Sequence, residues 1–270
     1  MNILSKSVAG QSFPLTSLQQ GMLFQSLLST TDDRGVDVEQ LVIRVRQRLE
    51  PAALAAAFKL MIERYPSLGA SFHAATTGSS WQAGQRQPFQ VFHQDLNVEV
   101  TLTALGLTGP GTEEDDLRTF LDADRRRGFD LAEPPLMRAK IAHCTNSTSY
   151  LVWTFHHILL DGRSIAQFIF ELFEAYEAIS HDQPLSLGPR PRSYVDYLKY
   201  CGARDHREGI EYFKQLLSGK STPTPVPLVE PEGRNRAGAG SGEVELVCDP
   251  ALVRAVRKVA ESTGTTVSTV

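Results

Sequence analysis

The sequence predicts an α/β fold, and three observations carry that prediction. Segments with strand periodicity alternate with segments of helical periodicity through the first two thirds of the chain. Apolar residues make up 41% and charged residues 21% of 270 positions, a balance that supports a buried core. No run approaches the roughly 18 consecutive apolar residues that a membrane span requires.

The elements follow in order. Thr16 or Ser17, with Gln19 or Gln20 three residues on, forms a capping-box start, and Leu18, Met22, Phe24, Leu27 and Leu28 then give a short, largely buried helix. Leu41, Ile43, Val45 and Leu49 alternate with Arg44, Arg46 and Arg48, the period of a half-buried strand. Pro51 suits a first helical turn, Leu54, Phe58, Met61 and Ile62 make an apolar stripe, and Pro66 ends that helix. Strands are expected at Phe89–Phe92 and Asn97–Leu102, and a Gly109–Gly111 turn precedes a helix from Thr112 that buries Leu117, Phe120 and Leu121. After Pro134-Pro135, Leu136–His143 and Tyr150–Phe155 read as a hairpin across a polar Thr145–Ser149 turn. From Ser164, which reads as a helix cap, Ile165, Phe168, Ile169, Leu172, Phe173, Tyr176 and Ile179 recur at helical spacing.

Composition changes near residue 182. A proline-rich segment leads to a helical stretch with Tyr194, Tyr197, Leu198, Tyr212, Phe213 and Leu216, then to a Pro- and Gly-rich loop over Ser221–Gly242. Glu243–Val247 reads as a strand, Asp249-Pro250 as cap and first turn of a helix, and Gly264 as its stop.

Charge narrows the partners. With 27 basic and 31 acidic residues the net charge is -4, which leaves no basic field for nucleic acid or an anionic membrane. The three cysteines, Cys144, Cys201 and Cys248, are widely spaced and suggest neither a disulfide framework nor a zinc knuckle. The expected location is the cytoplasm.

One constellation carries chemistry: His156-His157-Ile158-Leu159-Leu160-Asp161-Gly162, directly after a strand and directly before a helix. Such turns present reactive groups on a rigid scaffold. Imidazole accepts a proton near neutrality, Asp161 can orient a ring or pair with a cation, and Gly162 permits a tight backbone or close substrate approach. The same residues also allow a purely structural histidine pair or, through His157 and Asp161, a metal site; no further ligand stands at metal-binding spacing. Other signatures fail: Ala166 replaces the second glycine of a nucleophile elbow, Lys214 the first glycine of a phosphate loop, and Glu243 the last glycine of a dinucleotide fingerprint.

The heptapeptide resembles the His-His-x-x-x-Asp-Gly motif of chloramphenicol-acetyltransferase-like acyltransferases, and its surroundings narrow the resemblance to condensation domains of nonribosomal peptide synthetases. Phe13–Phe24 is similar to that family's opening motif, Glu63–Phe72 to its second, Gly128–Leu131 with Pro135–Arg138 to the approach to the active site, and Ser193–Tyr197 to its Tyr-x-Asp-Tyr element. Two departures stand out: Tyr65 replaces the usual histidine and Gly69 the usual arginine of the second motif.

The resemblance implies a chloramphenicol-acetyltransferase-like lobe, an α+β sandwich of mixed sheet and flanking helices. Residues 1–182 would be the amino-terminal lobe, and 183–270 a crossover with the start of an incomplete second lobe. It implies an enzyme of secondary-metabolite biosynthesis in which a carrier-bound amine attacks a carrier-bound acyl thioester to form an amide. His157 would be catalytic; His156, Asp161 and Gly162 would be structural, Asp161 pairing with an arginine of the second lobe. Neither metal nor covalent cofactor is implied, since phosphopantetheine arms of carrier domains present both substrates. Those carrier domains are the implied partners, together with any separate chain supplying the second lobe. A standalone acyltransferase using coenzyme A, or an inactive fragment serving as an interaction piece, are the alternatives.

Overall fold

A computed structural model describes residues 10–28, 35–74, 87–104, 113–143, 148–220, 222 and 246–270. The chain divides into two units, Met1–Glu208 and Gly209–Val270.

The first unit holds two sheets. Strands β2 (Val38–Val45), β5 (Glu99–Ala104), β6 (Met137–His143) and β7 (Ser149–His156) form one, in the order β2-β7-β6-β5. The β2/β7 and β6/β7 pairs are antiparallel and β5/β6 is parallel, so the sheet is mixed. The expected hairpin is β6–β7; Thr145–Ser147 of its turn lie outside the described residues. Strands β1 (Ser12–Pro14), β3 (Ala70–His73) and β4 (Phe89–Phe92) make the second sheet, in the antiparallel order β1-β4-β3.

Helices α2 (Pro51–Arg64) and α4 (Gly162–Ser180) cover the larger sheet. Their stripes fall where the 3.6-residue period puts them: Leu54, Phe58, Met61 and Ile62 on α2 and Phe168, Leu172 and Tyr176 on α4 are all buried. They meet Ile141, Leu151, Trp153 and Phe155 of β6 and β7. Trp153 stacks on Phe168 with ring centroids 4.4 Å apart and on Phe155 at 4.2 Å. A partly buried network of polar groups centred on Glu171 ties the α2 and α4 layer together: Arg64 Nε donates to Glu171 Oε2 at 2.7 Å, Tyr65 Oη to the same oxygen at 2.8 Å, and Arg64 Nη2 to the carbonyls of Gly188 and Pro189. Burial alone would raise the Glu171 carboxyl, but the bonds from Tyr65, Gln167 and Arg64 hold it below its ordinary range.

Helix α3 (Glu113–Arg127) lies beside β2 and is anchored through Asp124. Arg138 Nε of β6 donates to Asp124 Oδ1 at 2.8 Å, and Thr154 Oγ1 of β7 donates to Oδ2 at 2.6 Å. Leu117, Phe120 and Leu121 are half-buried, so an ion pair rather than the apolar stripe forms the inner contact.

Helix α1 (Ser17–Leu28) corrects one expectation. Its start is the reciprocal capping box: Gln19 N donates to Thr16 Oγ1 at 3.3 Å, and Thr16 N to Gln19 Oε1 at 3.1 Å. Its body, however, is largely exposed; only Gln19 and Leu23 are buried, while Leu18, Phe24, Leu27 and Leu28 are 77%, 63%, 62% and 66% exposed. Leu23 joins Leu15, Phe72, Phe92, Leu131, Leu136 and Ile158 in a second core, which also takes Val195 and Leu198 of α5 (Tyr194–Ala203).

The departure at Gly69 has a steric reason. Gly69 closes a 3-10 turn over Pro66–Gly69, and a Cβ there would stand 2.8 Å from the His93 carbonyl oxygen and 3.1 Å from Leu96 Cδ1. The His93 amide also donates to the Gly69 carbonyl at 3.0 Å. No side chain fits this close approach without displacing backbone.

The single helical stretch expected after Tyr194 resolves into two helices. Asp205, just past α5, binds Arg207, where α6 (Arg207–Leu216) begins. In the second unit, helix α7 (Pro250–Thr263) has Asp249 accepting from the amides of Ala251 and Leu252, and Gly264 in the left-handed region at φ 64°. Of the strand expected at Glu243–Val247, Leu246 and Val247 are irregular backbone, and Glu243–Glu245 lie outside the described residues with all but Thr222 of the Ser221–Gly242 loop.

Candidate active site

The five residues His157 to Asp161 connect β7 to α4, and the two cores fix them from both sides. Ile158 is buried in the smaller core, and Leu159 borders both. Backbone bonds pin the start of the turn: the His156 amide donates to the Leu136 carbonyl at 3.0 Å and the His157 amide to the Asp37 carbonyl at 2.7 Å. Gln19 adds a side-chain contact, Nε2 to the Ile158 carbonyl at 3.5 Å, and Gln90 Nε2 of β4 donates to Gln19 Oε1 at 3.1 Å.

The two imidazoles face different surroundings. His156 is 2% exposed, and its Nδ1 accepts from the Ile158 amide at 3.2 Å. Burial, reinforced by the neighbouring His157, lowers its pKa to about 4, so the ring is neutral near pH 7 with its proton on Nε2. His156 is therefore a structural member of the turn.

His157 is half-buried, and its Nδ1 lies 2.7 Å from the Leu160 carbonyl oxygen. A carbonyl only accepts, so Nδ1 carries the proton and the neutral ring keeps its lone pair on Nε2. The turn thus fixes both the tautomer and the direction of a single basic nitrogen. That arrangement receives a proton or holds a donor at one atom.

Asp161 is the N-cap of α4. Its Oδ1 accepts from the Ser164 amide at 2.8 Å, and that bond, with smaller help from His157 and Arg163, holds the carboxyl below its usual range. The helix therefore begins at Gly162, and Ser164, expected as the cap, is instead the capped amide. Among the described residues no cation forms an ion pair with Asp161. Gly162 is exposed and a Cβ there would meet nothing within 4 Å among those residues, so packing within the described chain does not demand glycine. No group of three His, Cys, Asp or Glu side chains suited to a metal occurs among them either.

Three nearby residues carry no signal in the motif itself. Asp37 approaches His157 through the backbone and has a positive φ of 57°. Tyr194, at the start of α5, has its phenol pushed up to about 12 by burial, with Tyr197, Cys201 and Asp161 adding to the effect. Gln90 supports the turn through Gln19. Of these three Tyr194 leaves a trace in the sequence, as the first tyrosine of the Tyr-x-Asp-Tyr element, and Gln19, which Gln90 supports, leaves another as half of the capping box.

The comparisons with known proteins converge on this site's family. The family model of the condensation domain matches residues 9–270. Among curated relatives, a linear gramicidin synthase of Brevibacillus parabrevis is 35% identical over 213 residues, which cover 78% of this chain and 4% of that protein. Bacitracin synthase 1 of Bacillus licheniformis is 31% identical over 209 residues, 77% of this chain and 4% of that one. The chain therefore spans a small fraction of the curated relatives it matches. Among solved structures, the first condensation domain of the calcium-dependent antibiotic synthetase superposes with a TM-score of 0.68 at 18% identity, covering 95% of this chain and 57% of that one. The starter condensation domain of rhizomide synthetase gives 0.64 at 16% identity, covering 79% and 49%. With the family model matched over nearly the whole chain and the mixed sheet and helices superposing on two solved members, this protein belongs to the condensation domain family.

Proposed function

We propose that the chain carries the proton-handling side of an amide-forming condensation site in nonribosomal peptide synthesis, with His157 as the catalytic residue. The observation that carries this reading is the 2.7 Å contact from His157 Nδ1 to the Leu160 carbonyl, which leaves Nε2 as the acceptor. An acceptor amine on a phosphopantetheine arm attacks the carbonyl carbon of a donor thioester. The C–N bond forms, the C–S bond breaks, and the amine proton passes by way of Nε2 to the departing thiolate. Holding two tethered substrates together lowers the barrier further through proximity. His156 stays neutral and Asp161 with Gly162 opens α4, so all three act by shaping the turn.

In this reading residues 1–182 form the lobe that carries the motif and 183–270 the crossover toward a second lobe. Carrier domains are the partners that deliver donor and acceptor.

The test is amide formation between two loaded carrier proteins, measured with this chain alone and with a polypeptide supplying the rest of the domain. Product formation that disappears in His157→Ala is the expected result. Undiminished product in His157→Ala, with the variant folded, refutes the assignment.

A further inference from the structure

We infer that Gln90 is a positioning residue for His157, acting through the Gln19 amide on the Ile158 carbonyl. The inference rests on the reading of His157 as proton acceptor given above.

Gln90 stands where the pattern of its sheet calls for an apolar side chain. It pairs with Phe13 of β1 on one side and Phe72 of β3 on the other, and Phe92 follows two residues along β4. Phe72 and Phe92 belong to the smaller core, and Phe13 packs against it. Gln90 is nonetheless 1% exposed, and its Oε1 is buried with no donor among the described residues. An amide oxygen in that state costs stability, and a sequence departs from its own pattern chiefly at functional sites. The useful end of the amide is Nε2, which donates to the Pro14 carbonyl at 3.0 Å and to Gln19 Oε1 at 3.1 Å.

Gln19 passes the constraint on. Its Oε1 also accepts from the Thr16 amide at 3.1 Å, so two donors fix the amide plane, and Nε2 then reaches the Ile158 carbonyl at 3.5 Å. That last bond is long, so it depends on how firmly Oε1 is held. It is also the one polar tie that Ile158–Leu160 make outside the turn among the described residues. The Ile158 amide donates to His156 Nδ1, the Leu159 amide to the His156 carbonyl, and the Leu160 carbonyl accepts from His157 Nδ1. Two residues separate the anchored Ile158 carbonyl from the Leu160 carbonyl that selects the His157 tautomer. Releasing the anchor lets the Leu160 peptide rotate, and Nε2 is then no longer the sole basic nitrogen.

NMR of the 270-residue chain reads this directly. In the unmodified protein, ring nitrogen shifts of His157 should show one tautomer with its proton on Nδ1. The side-chain amide protons of Gln19 and Gln90 should exchange with water about a hundredfold more slowly than those of an exposed glutamine. Free exchange of these amides, or a ring that already mixes tautomers, overturns the inference whether or not any variant folds. Gln90→Met, similar in size but without a donor, should give a mixture of His157 tautomers. In the carrier assay with the completed domain it should lower kcat about tenfold while KM stays within about twofold. A role confined to stability would lower the melting temperature and leave tautomer and kcat unmoved, and that result in a folded Gln90→Met also overturns the inference. Undiminished product in His157→Ala defeats the catalytic reading instead, and leaves the NMR results standing.

Discussion

Acidification should weaken this fold by a predictable amount through one side chain. His156 is buried in the active-site turn with its pKa lowered to about 4 from an ordinary 6.5, burial being the main cause. In the unfolded chain the ring gains its proton as pH falls through 6.5; in the folded chain it stays neutral until pH nears 4. The unfolded state therefore binds more protons across that window, and stability falls as pH falls, fully present above about 6.5 and no longer declining below about 4. A gap of about 2.5 pH units at about 1.4 kcal/mol per unit gives a loss of about 3 kcal/mol, of which about 2 kcal/mol is gone at about pH 5. His73 and His93, each lowered by burial and each 2.8 Å from the Ser71 hydroxyl, add a loss of the same sign. The comparison that isolates His156 is His156→Asn, whose amide oxygen can still accept the Ile158 amide. Urea unfolding by near-ultraviolet circular dichroism, repeated from about pH 7 to about pH 4.5, should give a flatter profile for the variant by about 2–3 kcal/mol. Parallel profiles would refute the claim that burial keeps this ring neutral.

Three further outcomes are expected. Gly69→Ala should lower stability by about 1–3 kcal/mol in the same unfolding assay, because its Cβ meets the His93 carbonyl at 2.8 Å; a neutral effect would mean that this backbone yields easily. Asp161→Ala should cost about 1 kcal/mol through loss of the α4 cap while Asp161→Asn costs little, and equal losses would show that charge rather than capping matters there. Asp124→Ala should cost about 3–5 kcal/mol in thermal unfolding, since it strands Arg138 in a site where both side chains are almost fully buried; a loss under about 1 kcal/mol would show that the arginine finds another partner.

The parts of this architecture that are legible in the sequence are those whose local period coincides with their burial. Helices α2 and α4 each bury one regular stripe, so spacing alone locates them, while the β6–β7 hairpin is buried almost continuously along both strands and is located by its apolar runs between Pro134-Pro135 and a polar turn. Strands β1 and β3 run three and four residues, too short for an alternation to declare itself. Helix α1 shows the opposite failure: its apolar residues are real, but periodicity reports a face and not whether anything covers it. The heptapeptide tells which residues share the turn. Which nitrogen of His157 holds the proton depends on the path of the Leu160 carbonyl, and the presence of Asp37 depends on a strand pairing between residues far apart in the chain. Neither is written in residue spacing.

The amides of His156 and His157 are bonded to the carbonyls of Leu136 and Asp37. The reactive turn is thus stitched to a neighbouring strand on one side and to a segment from early in the chain on the other. A contact of such sequence separation forms only after a long loop has closed, so the site assembles late, with the sheet rather than before it. Its geometry and the integrity of the larger sheet then share one cooperative unit. The exchange rates of these two amides in heavy water become a direct gauge of whether the unit is intact.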